Sequence, residues 1–80
     1  MLLYFTNNSK QKKVLIETDY VEDIYDEIMA FFEDYKIRPH LIEIRNEESG
    51  CSIGWESQSE FFICEGASND DIDVLKQMFG

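Results

Sequence analysis

The sequence predicts an α+β protein of two layers, in which a mostly antiparallel sheet packs on one long amphipathic helix and a short C-terminal helix. Five short segments rich in apolar and β-branched residues are separated by polar turns or by a helix, as is typical of strands. Two other segments repeat apolar residues at spacings of three and four, the period of a helix. The predicted order is ββαβββα, and 80 residues give room for one domain, residues 1–80.

The first two strands form a predicted hairpin. Leu2 to Thr6 and Lys12 to Thr18 are apolar and β-branched, and the polar residues 7–11 between them indicate a loop. Basic side chains cluster at the tip of this hairpin: Lys10, Lys12 and Lys13. Lysines at a strand edge commonly prevent pairing with another chain, and this is the role that we expect for them. Self-association of the cluster against an acidic helix is the alternative.

The long helix is predicted to run from about Tyr20 to Lys36. Asp19 is the expected N-cap, and Glu22 would complete a capping box three residues later. Lys36 would lie near the negative pole at the end of the helix. The apolar positions that give the helical spacing are Val21, Ile24, Ile28, Phe31, Phe32 and Tyr35.

Three more strands are predicted after the single proline, Pro39, which marks the end of the helical pattern. They span His40–Asn46, Cys51–Glu56 and Glu60–Glu65, and the turns between them are residues 47–50 and 57–59. A final short helix is predicted to start near Ser68 or Asn69, with acidic residues at its favourable N-terminal end. Its apolar positions are Ile72, Leu75, Met78 and Phe79.

Apolar matching predicts the register of the three-stranded part, with Trp55 opposite both Ile42 and Phe61. The face toward the long helix then holds Ile42, Ile44, Ile53, Trp55, Phe61 and Ile63. The other face is expected to be solvated and holds Leu41, Glu43, Arg45, Ser52, Gly54, Glu56, Glu60, Phe62 and Cys64. Phe62 is thus expected to be an exposed aromatic residue. Cys51 and Cys64 would point to opposite faces, which excludes a disulfide between them, whereas a shift by one residue would place them opposite each other.

The charge balance excludes some classes of partner. Seventeen acidic residues stand against 7 basic residues, which gives a net charge of −10 and a pI near 4.2. Such a chain cannot hold nucleic acid directly by neutralising phosphates, and its charge disfavours docking onto anionic membranes. No apolar run approaches the ~18–20 residues that a membrane helix needs, and two cysteines are too few for a disulfide scaffold. We expect a cytoplasmic protein.

Residues for catalysis or for metal binding are scarce. His40 is the only histidine, so neither a Ser–His–acid nor a Cys–His arrangement can be assembled around it with support from spacing. The two cysteines lack zinc-site spacing, and the acidic run at residues 70–73 lacks the glycine and terminal glutamate of a calcium loop. We therefore expect no enzyme, no catalytic residue, no metal and no cofactor.

The acidic residues of the long helix are segregated on one side. Asp23, Asp26, Glu27, Glu33 and Asp34 fall within an arc of about 120°, nearly opposite the apolar stripe, and we call these five residues the acidic arc. They span about 16 Å along the helix axis, or roughly one carboxylate per 3.3 Å, close to the ~3.4 Å charge spacing along one strand of duplex DNA. A solvated helix face usually mixes acidic with basic residues, because like charges four residues apart are destabilising.

These features predict a binding protein that inhibits a nucleic-acid-binding protein or a nuclease by imitating the phosphate backbone, with the acidic arc as the partner-binding surface. In size, acidity and lack of catalytic groups the chain resembles the small inhibitors that bacteriophages and mobile elements direct against host nucleases, among them anti-CRISPR proteins. The resemblance covers overall composition, and no motif carries over. Three alternatives remain open: an immunity protein against a basic toxin nuclease, a passive interaction or assembly domain that forms homo-oligomers, and an acidic face kept for solubility.

Overall fold

A computed structural model describes residues 1–7, 9, 11–56 and 59–80 of the chain. It confirms the α+β class and the element order ββαβββα. The strands are β1 (Leu2–Thr6), β2 (Lys12–Glu17), β3 (Ile42–Glu47), β4 (Gly50–Trp55) and β5 (Phe61–Glu65), and the helices are α1 (Val21–Asp34) and α2 (Asn69–Phe79). Lys10 of the basic cluster and two residues of the predicted turn 57–59, Ser57 and Gln58, lie outside the described residues.

All five strands form one sheet in the order β2-β1-β5-β4-β3, and every neighbouring pair is antiparallel. The last strand in sequence, β5, is therefore the central strand, because it lies between β1 and β4. Both helices cover the same face: they contact each other, α1 packs near β2, and α2 packs on β3 and β4. The opposite face of the sheet, which we call the open face, carries no helix of the described part of the chain.

The core lies between the sheet and the helices, and Phe62 of β5 is at its centre. The Phe62 ring lies 5.0 Å from that of Phe31 and 5.2 Å from that of Trp55, measured between ring centroids. Phe5 and Phe32 complete the cluster, with centroids 5.8 Å and 5.7 Å from Phe62. Aromatic pairs at these separations contribute about 0.5–1.5 kcal/mol beyond the area they bury, so this cluster joins α1 to the middle of the sheet.

The predicted register of β3 with β4 is confirmed, since Ile42 lies opposite Trp55. The predicted register of β4 with β5 is wrong by one residue, because Trp55 does not face Phe61: Gly54 does. The shift exchanges the two faces of β5. Phe62 and Cys64, which were expected on the solvated face, are fully buried in the core, while Phe61 and Ile63 lie on the open face.

The reason for the shift is that β5 is apolar at four consecutive positions, so its own sequence favours neither face. Pairing of β5 with β1, its other neighbour in the sheet, determines which side chains of β5 face the helices. In that pairing Phe5 lies opposite Phe62 and Leu3 opposite Cys64, which puts all four side chains on the covered face. A prediction made from β3, β4 and β5 alone could not include this constraint.

The start of α1 also differs from the prediction. Tyr20 is the N-cap residue and makes no side-chain capping bond, so the predicted capping box of Asp19 and Glu22 is wrong. Thr18 takes over part of that role from outside the helix. Its hydroxyl donates to Asp23 Oδ2 at 2.5 Å and accepts from the backbone N–H of Tyr20 at 3.2 Å.

The end of α1 is a Schellman-type cap formed without glycine. Lys36, predicted inside the helix, lies just beyond its end with φ of 56°. Its N–H donates to the Glu33 carbonyl at 3.2 Å, and the Ile37 N–H donates to the Phe32 carbonyl at 2.8 Å, the bond pattern of this cap. Ile37 packs against the core, which holds Lys36 in a conformation that glycine usually adopts.

Candidate functional site

The acidic arc faces outward because the opposite side of α1 is buried in the core. The buried stripe of α1 is Val21, Ile24, Ile28, Phe31 and Phe32. Asp26, Glu33 and Asp34 are exposed, whereas Asp23 and Glu27 are half-buried. The arc is thus presented on the surface, with its two half-buried members on the side that approaches the buried stripe.

No lysine or arginine in the described part of the chain forms an ion pair with the acidic arc. The structure does show an ion pair elsewhere, on β3, where Arg45 Nη2 lies 3.2 Å from Glu43 Oε2. Lys12 of the basic cluster lies 5.1 Å above the ring of Tyr4, a cation–π contact on the open face. Among the hydrogen bonds of the described residues, one involves an arc side chain: the Thr18 hydroxyl donates to Asp23 Oδ2.

The arc therefore presents concentrated negative charge to solvent. Asp23 and Glu27 are four residues apart, and Asp23 and Asp26 are three apart, so the side chains are neighbours on the helix surface. Each such like-charge pair costs about 0.2–0.5 kcal/mol of helix stability. A surface that keeps this repulsion can attract a cationic partner, and at physiological salt the attraction extends over a Debye length of about 8 Å.

The open face holds a second concave surface, which we call the sheet groove. It is an open depression of about 800 Å³ over β3, β4 and β5. Its floor contains Gly54, Phe61 and Ile63, with Leu41 beside it. Its charged lining residues are Glu43, Arg45, Glu47, Glu56 and Glu60. The sequence did not predict this floor, because the predicted register of β4 with β5 assigned Phe61 and Ile63 to the core. The signal that could have indicated it was Gly54, a glycine inside a strand.

Polar contacts order the borders of the groove. Glu56 Oε1 accepts the backbone N–H groups of His40 and Leu41, the latter at 3.2 Å, and so fixes the segment before β3. Glu47 Oε1 accepts from the Ser52 hydroxyl at 3.0 Å. At the other end of the open face, the Tyr4 hydroxyl donates a hydrogen bond to Glu65 Oε1 at 2.8 Å. Burial, and then this hydrogen bond and the charge of Glu65, raise the pKa of Tyr4 above its ordinary value of 10.0.

The cysteines lie directly opposite each other on β4 and β5, on the covered face. The predicted register had excluded a disulfide because it placed the two cysteines on opposite faces, and that reason does not apply to the observed register. Both cysteines are free thiols in the structure. Each is fully buried. The hydrogen bond between them, followed by burial, raises the pKa of Cys51, so at neutral pH its thiol is protonated and is not a nucleophile.

His40 has no partner for acid–base chemistry in the described structure: its side chain is exposed, and the contact it makes is through its backbone N–H. Within the same described residues, no group of three or more His, Cys, Asp or Glu side chains is arranged to hold a metal ion. Neither helix of the described chain is long and apolar enough to cross a membrane. No protein-family model, curated protein or solved structure matches the chain.

Proposed function

We propose that this protein is a small acidic binding protein that inhibits a nucleic-acid-binding protein or a nuclease by nucleic-acid mimicry. The observation that carries the proposal is the acidic arc: it faces outward, and no lysine or arginine of the described chain neutralises it. On this proposal the arc occupies a basic cleft that would otherwise hold a phosphate backbone. The partner is a basic protein, and the chain itself has no enzymatic role.

Physical chemistry supports such a decoy in two ways. A field of one sign steers an oppositely charged partner and raises the association rate by 10- to 10³-fold, an effect that falls steeply with salt. Carboxylates also accept paired hydrogen bonds from arginine, which fixes orientation as well as affinity. The exposed members Asp26, Glu33 and Asp34 are the residues that we expect to make these contacts, with Glu27 and Asp23 extending the row toward the start of the helix.

The test compares two triple charge reversals with the same change in net charge. The arc variant carries Asp26→Lys, Glu33→Lys and Asp34→Lys. The control carries Glu17→Lys, Glu48→Lys and Asp73→Lys, three exposed acidic residues outside the arc. Proteins captured from a bacterial lysate by each form are identified, and each captured protein is then purified and tested for displacement from labelled DNA or RNA over a salt series.

The expected result is that the wild type and the control capture the same basic nucleic-acid-binding protein and displace its nucleic acid, and that the arc variant does neither. Displacement should weaken as salt rises. Equal displacement by the arc variant would exclude the arc as the mimic. If the displaced partner is a nuclease toxin encoded beside this protein, the inhibitor is an immunity protein, which uses the same surface.

A further inference from the structure

Gly54 occupies a position where the fold does not require glycine. It lies inside β4, between Glu43 of β3 and Phe61 of β5, and its φ is not positive. A Cβ atom added there would meet no heavy atom within 4 Å. Glycine inside a strand costs about 0.5–1 kcal/mol relative to alanine. Neither backbone conformation nor packing accounts for that cost, and a glycine inside a strand is often found where a ligand or another backbone approaches the sheet closely.

The surroundings of Gly54 define the chemistry of that molecule. The floor of the sheet groove is apolar, through Phe61 and Ile63, and the side chain of Leu41 beside it is 62% exposed. Four glutamates line the groove: Glu43, Glu47, Glu56 and Glu60. Among the described lining residues they face one guanidinium, that of Arg45, which already forms an ion pair with Glu43. The groove therefore combines an apolar hollow with an excess of negative charge.

We propose that the sheet groove binds an extended basic segment of a partner protein, with an apolar side chain of that segment above Gly54 and its lysines or arginines against the surrounding glutamates. Charge disfavours the other occupants. A second copy of this chain that docked through the same face, with its net charge of −10, would bring the same glutamates against each other, and nucleic acid would bring phosphates against them. The groove and the acidic arc lie on opposite sides of the sheet, so this inference does not depend on the proposed function.

A short synthetic peptide in which lysine alternates with leucine is a suitable probe, because it combines apolar side chains with long, flexible cationic side chains that can reach the glutamates around the groove. A peptide that alternates lysine with serine has the same charge and no apolar side chain. Isothermal titration calorimetry measures the affinity of each peptide for the protein. Backbone amide shifts in nuclear magnetic resonance spectra then show which surface each peptide contacts.

The expected result is that the lysine–leucine peptide binds at least about tenfold more tightly than the lysine–serine peptide, a difference of about 1.4 kcal/mol. Amide shifts should concentrate at Ser52, Gly54, Phe61 and Ile63. Equal affinity for the two peptides, or shifts confined to α1, would overturn the proposal, because the contact would then be charge attraction at the acidic arc.

Two variants sharpen the test. Gly54→Val fills the hollow with a side chain that strands favour, so it should reduce peptide affinity by at least about tenfold without lowering thermal stability. Gln77→Val places the same side chain on an exposed position of α2 and should change affinity by less than about twofold. Unchanged affinity in Gly54→Val contradicts the proposal. Conversion of a wild-type dimer into a monomer by Gly54→Val would also contradict it, by assigning the groove to a second copy.

Discussion

The two faces of the sheet are built from alternate residues of the same strands, yet they are organised differently. On the covered face, Leu3, Ile53 and Phe62 are fully buried, and the helices complete a continuous apolar core. On the open face, Phe61 and Ile63 are half-buried, and Gly54 leaves a hollow between them and the glutamates. The covered face therefore supplies stability, and the open face is left with a recess that stability does not require.

The difference shows that an apolar side chain in a strand does not by itself report the core. Adjacent phenylalanines of β5, Phe61 and Phe62, have the same chemistry and opposite environments. Their roles are set by strand pairing, because a shift of one residue exchanges every side chain between the faces. The predictions that follow test this assignment, beginning with the largest expected effect.

Truncation of the two phenylalanines should have very different consequences. Phe62→Ala removes a fully buried ring from the centre of the aromatic cluster and should lower the free energy of unfolding by about 3–5 kcal/mol. Phe61→Ala, the matched change on the open face, should cost only about 1 kcal/mol. Urea denaturation followed by circular dichroism measures both. A larger loss for Phe61→Ala would show that the originally predicted register of β4 with β5 is the right one.

The two glycines of β4 offer a second contrast. Gly50 has φ of 156°, and a Cβ atom there would lie 2.0 Å from the carbonyl oxygen of Cys64. Gly50→Ala should therefore lower the free energy of unfolding by at least about 1–3 kcal/mol, because the backbone of one strand or the other must move. Gly54→Ala should leave it unchanged or raise it by about 0.5–1 kcal/mol.

Thermal denaturation of both alanine variants beside the wild type checks this contrast. The opposite order of stabilities would mean that the hollow above Gly54 is occupied within the folded chain, and the binding role of the groove would then lose its basis. Equal destabilisation by Gly50→Ala and Gly54→Ala would likewise mean that the space above Gly54 is occupied within the folded chain.

The smallest effect concerns pH. The folded state raises the pKa of Tyr4, so it holds the phenol proton more tightly than the unfolded chain does. This contribution to stability is complete below the unfolded pKa near 10 and is lost as pH rises through the higher folded value. Tyr4→Phe removes this titration, so its free energy of unfolding should fall less steeply than that of the wild type above pH ~10. Parallel alkaline denaturation curves would contradict the assignment.

Much of the fold and of the acidic arc could be predicted from local patterns. The predicted start of α2 is confirmed, since the helix begins at Asn69 with Ser68 as its N-cap. The structure adds a capping box there, in which Ser68 and Asp71 each accept the other's backbone N–H, at 3.2 Å and 3.1 Å. The outward direction of the arc followed from the helical period, because burying the stripe at Ile24 and Ile28 turns the opposite side to solvent. Both depend on residues a few positions apart.

The cap of α1 could not be predicted in the same way. Asp19 and Glu22 have the spacing of a capping box, but Asp19 lies before the N-cap residue Tyr20, and Thr18 makes the nearby side-chain bonds instead. The chain has to turn from β2 into the helix within a few residues, and the position of β2 in the sheet sets where that turn begins. The spacing of apolar residues was therefore enough to predict that the helix exists, whereas the residue at which it starts depended on the sheet.

The sequence by itself determined the order of the elements, the buried stripe of α1 and the acidic side opposite it, since each depends on patterns within one segment. The tertiary structure alone decided that β5 lies at the centre of the sheet between β1 and β4. With that placement it decided that Phe62 is in the core, that Cys51 faces Cys64 and that Gly54 opens a hollow beside Phe61. The physical reason is that a strand apolar on both faces carries no local preference, so pairing between segments far apart in sequence selects the register.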